Sequence, residues 1–144
     1  MTLKNRYFAL AKKHQFAVAV LLLETLGATF TAAIFIAGTI VDSISRPEVV
    51  AASLGGYITI DAIFVLATFF AAFTARQLVF QKRWARSAAV FWQILQITIA
   101  WNSFSGDLLG KVIGAWLVVS ALAGLYLLFS KEVIEGTTEK IDRE

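Results

Sequence analysis

Residues 16–41 read FAVAVLLLETLGATFTAAIFIAGTIV, an apolar stretch in which Glu24 is the only ionisable side chain. A helix needs about 20 such residues to cross the hydrocarbon core of a bilayer. Basic residues that include Lys12 and Lys13 precede the stretch, as they do in a secretory signal. Because the apolar run is longer than the roughly 7–15 residues of a signal core, we interpret it as a retained transmembrane helix.

Three more apolar segments follow, and polar residues separate them. The predicted spans are residues 16–41, 50–75, 87–104 and 109–129. The only proline, Pro47, lies where the second helix would begin. The sequence therefore predicts an all-α membrane protein, a bundle of four transmembrane helices. We divide the chain into a basic cytoplasmic or interfacial segment (1–15), the membrane domain (16–130) and a polar cytoplasmic tail (131–144).

The composition excludes several functional classes. Hydrophobic residues make up 58% of the 144 residues and the mean hydropathy is +0.73, whereas soluble domains contain about 45–50% apolar residues. Four spans leave no length for a separate catalytic domain. The absence of cysteine rules out disulfides and thiol redox chemistry, and one histidine cannot form a zinc or haem cluster. We expect no cofactor, no metal and no enzymatic activity.

The basic residues are distributed unevenly along the chain. Eleven of the 13 Lys and Arg residues lie in the N-terminal segment, the second connection and the tail, whereas only Arg46 and Lys111 lie in or next to the other two loops. On the positive-inside rule, both termini are cytoplasmic in a multi-pass protein of the plasma membrane. Anionic lipid at the cytoplasmic face is the expected partner of this charge, and nucleic acid is not. The basic residues of the N-terminal segment are also explained if they only set the orientation of the first span. We favour that interpretation over a lipid-specific site.

Two acidic residues lie inside the predicted spans. Glu24 is eight residues in from Phe16, or about 12 Å, and Asp61 is eleven residues in from Val50, or about 16 Å from the opposite edge. Both should lie near mid-membrane and could face each other. Because a central charged side chain costs about 2.5–3.5 kcal/mol on insertion scales, each acid needs a partner, a proton or water.

Amide side chains are the candidate partners for these acids. Gln93 and Gln96 are three residues apart and therefore share one face of the third predicted span. Glu24 shares a face with Gly27, a small residue that lets another helix approach. We predict a mid-membrane polar cluster of Glu24, Asp61, Gln93 and Gln96. Its favoured role is to hold the bundle together, and the alternative is a substrate, cation or proton site.

Residues 83–96, RWARSAAVFWQILQ, followed by AWNS at 100–103, resemble a stretch of small four-helix integral membrane proteins of actinobacteria. LLLE at 21–24 is also similar to that group, so the resemblance covers most of the membrane domain. It implies the four-helix topology and names no activity. The residues that the resemblance supports as candidates for a structural or functional role are Glu24, Arg83, Trp84, Arg86, Trp92, Gln93 and Gln96. Arg83, Trp84 and Arg86 are candidate contacts to lipid headgroups or to a partner.

A shorter resemblance involves Glu24-Thr25-Leu26-Gly27. This tetrapeptide resembles the Glu-x-x-Gly of small multidrug resistance transporters, whose membrane glutamate exchanges protons for cationic drugs. Those transporters pair oppositely oriented subunits with little charge bias, whereas the strong charge asymmetry of this chain should fix one orientation. Asp61 is an additional acid outside the family pattern.

Two functional hypotheses follow from these observations. The leading one is an accessory or interaction subunit that binds another membrane protein, because the sequence has no nucleotide loop, metal set or catalytic dyad. A homo-oligomer is the other form that such an interaction could take. The alternative function is a small oligomeric proton- or cation-coupled transporter that uses Glu24 together with Asp61.

Overall fold

The computed structural model describes residues 3–105 and 108–138. Over these residues the chain forms α-helices only, which confirms the predicted all-α class. The helices are α1 (Leu3–Phe8), α2 (Lys12–Ser45), α3 (Pro47–Val79), α4 (Arg83–Ser103), α5 (Leu108–Leu128) and α6 (Lys131–Thr138). Predictions for residues 1–2, 106–107 and 139–144, including the end of the polar tail, lie outside the described residues.

Three of the helices are long and apolar enough to cross a membrane. They are α2, α3 and the part of α5 from Gly110 to Leu128. Helix α4 has the same length as α5 but is less apolar, because Arg86, Gln93 and Gln96 interrupt its apolar residues. The described part of the chain is therefore a helical bundle with three candidate membrane spans.

Helices α2 and α3 form a long antiparallel hairpin. They contain 34 and 33 residues, or about 50 Å each, which exceeds the hydrocarbon core of about 30 Å. Only Arg46 separates them, and its guanidinium and backbone N–H both donate hydrogen bonds to Asp42. Pro47 opens α3 at a position where its fixed φ is compatible with a helix and its missing N–H costs nothing. The polar residues 42–48 separate the first two apolar segments in the sequence, but the turn itself is much shorter than this segment.

The register of this hairpin is set by two contacts near its turn. The ring of Phe35 stacks on that of Phe64 with centroids 4.5 Å apart, and the Tyr57 hydroxyl donates to Asp42 at 3.0 Å. This register places Asp61 level with Gly38, and both line the same cavity. Gly38 comes fourteen residues after Glu24, so Asp61 lies about 21 Å from Glu24 along the hairpin axis.

A kink in α3 explains this offset. Ser53 has φ −122° and ψ 18°, outside the helical range, and glycines follow at positions 55 and 56, a common setting for a helix kink. Tyr57 is level with Asp42 although it lies eleven residues beyond Arg46, whereas Asp42 lies only four before it. The segment of α3 before the kink therefore advances less far along α2 than a straight helix of the same length would.

Helices α4 and α5 form a shorter hairpin. It packs on the half of α2 and α3 that lies farther from the turn at Arg46. The core between them consists largely of small and aliphatic residues, among them Val18, Leu21, Ala71, Ala75, Leu78, Ala85 and Ala89. A Cβ at Gly114 would lie 3.0 Å from the carbonyl oxygen of Ala100, so the α4 and α5 backbones are in close contact there. This packing brings polar side chains of α4 next to α2.

Helix α6 packs against the end of the bundle that carries most of the basic residues. Val133 and Thr137 are buried there, and Lys13 Nζ lies 3.5 Å from Glu132 Oε1. His14 is buried in α2 at the same end and donates from Nε2 to the carbonyl of Leu78 at 2.9 Å. Residues 131–138 of the polar tail are therefore a docked helix.

Candidate functional site

Glu24 lies inside the bundle and accepts two hydrogen bonds from α4. Trp92 Nε1 donates to Glu24 Oε2 at 3.2 Å, and Gln93 Nε2 donates to the same oxygen at 3.0 Å. Glu24, Trp92 and Gln93 are only 9%, 7% and 1% exposed. The carboxylate is thus enclosed by protein and joins α2 to α4.

The hydrogen bonds continue from α4 to α5. Gln96 Nε2 donates to Gln93 Oε1, and Ser120 Oγ donates to Gln96 Oε1, each at 3.4 Å. These two distances are long for hydrogen bonds, so Glu24 makes the stronger contacts. The structure brings together three of the four residues of the predicted cluster, Glu24, Gln93 and Gln96, and adds Trp92 and Ser120. We call these five residues the Glu24 cluster.

Gly124 on α5 provides the space that the Gln93 side chain occupies. A Cβ at this position would lie 2.5 Å from Gln93 Nε2 and 2.7 Å from its Cδ, which is closer than van der Waals contact permits. Only a residue without a side chain fits opposite Gln93 in this arrangement. Gly124 therefore shapes the site without contributing a polar group.

Sequence reasoning missed Trp92 as a partner of Glu24 and gave no role to Ser120 or Gly124. Trp92 carried a signal, since a buried indole N–H usually finds an acceptor and Trp92 precedes Gln93. Gly124 carried none, because its contact depends on how α5 is aligned with α4.

One oxygen of Glu24 remains without a hydrogen-bond partner in the described part of the chain. Glu24 Oε1 is buried and unpaired, and the ion pairs found among the described residues do not include Glu24. A carboxylate can accept more hydrogen bonds than the two that Glu24 receives. The carboxyl group can therefore hold a proton at Oε1.

Asp61 is not part of the Glu24 cluster. It is half-buried in a separate cavity of about 340 Å³, which Gly38, Asp42 and Tyr57 also line. The prediction counted eleven residues of straight helix from Val50 to Asp61. Because α3 is kinked at Ser53, these residues span a shorter distance along α2, and Asp61 lies closer to the α2–α3 turn than predicted. The arrangement of Glu24 facing Asp61 is therefore corrected: the two acids occupy different levels of the hairpin.

Comparison with known proteins finds no matching family model, no matching curated protein and no matching solved structure. The resemblances to the actinobacterial group and to the small multidrug resistance transporters thus stay predictions. Within residues 3–105 and 108–138, no group of three His, Asp or Glu side chains is placed to hold a metal ion.

The predicted headgroup contacts lie at the start of α4, at the basic end. Arg83 is exposed, and the 46% exposed ring of Trp84 lies 5.6 Å from that of Phe73. Arg86 is half-buried, and its Nη1 finds no hydrogen-bond partner among the described residues. These positions are compatible with a contact at the surface of the bundle.

Proposed function

We propose that this chain is a small integral membrane subunit that binds another membrane protein through the outer part of the α2–α3 hairpin. One observation carries the proposal: no residue in 33–45 or 51–66 is buried. We call these two ranges the outer hairpin face. The shorter α4–α5 hairpin covers the other half of α2 and α3 and leaves this face without a protein neighbour in the described chain.

Small residues distinguish the outer hairpin face from an ordinary lipid-facing surface. A Cβ at Gly38 would meet no atom within 4 Å, so this glycine makes no close internal contact that would explain it. Small residues at such positions allow the backbone of a neighbouring transmembrane helix to approach closely. A helix of another membrane protein is the occupant that fits this surface.

Asp61 indicates the chemistry of the partner. It lies level with Gly38, and the ion pairs found among the described residues leave it unpaired. A two-fold contact between two copies of the chain would place the same patch on both sides and bring like charges together. We therefore infer a foreign helix that presents a cationic or hydrogen-bond-donating side chain near Asp61.

We propose that α4 is the fourth span and that both termini are cytoplasmic. Helix α4 is about 32 Å long, and its buried Gln93 and Gln96 face protein instead of lipid. The basic residues of α1, of the α3–α4 connection and of α6 gather at one end of the bundle, which supports that orientation on the positive-inside rule. Measured along the helix axis from the level of Phe16, Glu24 then lies at about 12 Å and Asp61 at about 33 Å. Asp61 is therefore at the outer edge of the hydrocarbon core of the bilayer.

A second candidate function rests on the unpaired Glu24 Oε1. A buried carboxylate with an open oxygen at mid-membrane could load a proton or a cation, as intramembrane acids do in transporters. Asp61 lies too far away to share that site. This alternative is a transporter that depends on Glu24 alone.

The deciding experiment is affinity purification of the tagged chain from native membranes in mild detergent, followed by the intact mass of the complex. We expect a stoichiometric foreign membrane protein with the wild type and its loss with Gly38→Leu. Ala123→Leu, at an exposed position of α5, is the matched control and should retain the partner. Since leucine is the better helix former, Gly38→Leu should not unfold α2.

A lone monomer or a homo-oligomer would contradict the interaction proposal. Liposomes containing the wild type or Glu24→Gln then test the second candidate, with proton-coupled cation uptake as the readout. Uptake by the wild type that disappears in Glu24→Gln would support transport. Uptake that is unchanged in this variant would eliminate Glu24 as the coupling group.

A further inference from the structure

A groove opens at the basic end of the bundle between α1, α2 and α3. It encloses about 480 Å³, a volume typical of small-ligand sites. Its floor is buried and apolar, formed by Val18, Ala75 and Val79. Leu22 and Ala72 extend the same apolar lining toward the centre of the bundle. The groove is therefore suited to hold a hydrocarbon chain.

Two cationic side chains, Lys4 on α1 and Arg76 on α3, line this groove. The guanidinium of Arg6 is outside the lining of the groove and lies 4.9 Å from the Phe80 ring centroid, and that of Arg76 lies 5.8 Å from the same centroid. Two positive charges thus line an apolar groove, and the charge of Arg6 lies near that of Arg76.

These charges lack a counter-charge in the described residues. The lining of the groove contains no carboxylate, and the ion pairs found among residues 3–105 and 108–138 involve none of Lys4, Arg6 and Arg76. Arg6 Nε is also buried without a hydrogen-bond partner in that part of the chain. An anion at the edge of the groove would neutralise the charges of Lys4 and Arg76.

A phosphate group fits this set of donors. Arginine forms paired hydrogen bonds with phosphate oxygens, and lysine adds a mobile point charge. The groove joins this anion site directly to an apolar surface, which matches a molecule with a phosphate headgroup and an acyl chain. The N-terminal basic segment lies at the end of the bundle where anionic headgroups of the cytoplasmic leaflet would be.

We propose that this groove binds one acidic phospholipid, with its phosphate between Lys4 and Arg76 and one acyl chain against Val18, Leu22 and Ala72. The site is separate from the predicted headgroup contacts at Arg83, Trp84 and Arg86. It requires a defined lipid in a defined place, in contrast to a general attraction of the basic end to a charged membrane.

The test is native mass spectrometry of the full chain released from micelles that contain equal amounts of phosphatidylglycerol and phosphatidylcholine. The wild type should retain one phosphatidylglycerol. The double variant Lys4→Gln/Arg76→Gln should bind it at least about tenfold more weakly, because each basic residue near a membrane surface contributes measurably to binding. Lys82→Gln removes a charge from the same end, at an exposed position outside the groove, and should bind normally.

Ala72→Phe keeps every charge and fills the groove from an exposed position, so it should lose the lipid as well. This variant decides the question if the double variant does not fold. An equal loss in Lys82→Gln, or equal retention of phosphatidylcholine by the wild type, would overturn the proposal. Glycerol phosphate that competes as well as the whole lipid would reassign the groove to free phosphate.

Discussion

Glu24 illustrates at the residue scale how an acid is accommodated inside an apolar bundle. A lone charge at the centre of a membrane helix costs about 2.5–3.5 kcal/mol, and a side-chain hydrogen bond in a membrane bundle returns about 0.6–1.7 kcal/mol. Two donors, Trp92 and Gln93, therefore offset part of this cost, and enclosure by α4 and α5 keeps the carboxylate away from lipid. Glu24 thus favours the assembled bundle over separate helices.

Substitution of the two glycines Gly124 and Gly27 by alanine should have opposite effects. Gly124→Ala places a methyl group in the space of the Gln93 amide and should lower stability by about 1–3 kcal/mol, as overpacking does. Gly27→Ala is the matched control, since its Cβ meets nothing within 4 Å, and it should be neutral or gain about 0.5–1 kcal/mol. Unfolding of both purified proteins in mixed micelles measures the difference. Equal stabilities would mean that Gln93 is free to leave Glu24.

At the element scale, α6 is held mainly by its apolar face. Val133 is fully buried against the bundle, whereas the Lys13–Glu132 pair is exposed on both sides. Exposed ion pairs contribute about 0–1 kcal/mol, and complete burial of an aliphatic side chain contributes about 1.5–3 kcal/mol. The docking of α6 therefore depends on Val133 more than on charge.

Val133→Asp should release α6 from the bundle, because a carboxylate would replace the buried side chain. Ile134→Asp is the adjacent control, since Ile134 is on the exposed side of the same helix. Hydrogen exchange of the backbone amides in residues 131–138 reports the change. We expect fast exchange in Val133→Asp and slower exchange in the wild type and in Ile134→Asp. Equal protection in both variants would show that the apolar contact does not hold the helix.

At the scale of the whole molecule, the basic end and the α2–α3 turn define two opposite poles. α1, the connection between α3 and α4, and α6 lie at one pole, and Arg46 lies at the other. In the proposed topology, four crossings place the connection between α4 and α5 on the same side of the membrane as Arg46. The proposed topology therefore depends on α4 crossing the membrane, although α4 is the least apolar of the long helices.

Single cysteines can test this topology, because the sequence contains none. Ser45→Cys and Ser105→Cys should react with an impermeant maleimide added to intact cells, since both exposed positions would face the outside. Thr138→Cys should react only after the cells are permeabilised. Labelling at position 45 without labelling at position 105 would show that α4 does not cross.

The sequence by itself determined the helical class, the apolar lengths and the shared face of Gln93 and Gln96, because hydropathy and helical periodicity are local properties of the chain. It also indicated that Glu24 needs a partner. Only the tertiary structure decided that Trp92 supplies one, that Gly124 makes room for Gln93, and that Asp61 lies far from Glu24. Those outcomes depend on the relative levels and rotations of neighbouring helices, and in this chain the kink at Ser53 shifts those levels in a way that a count along the sequence cannot register.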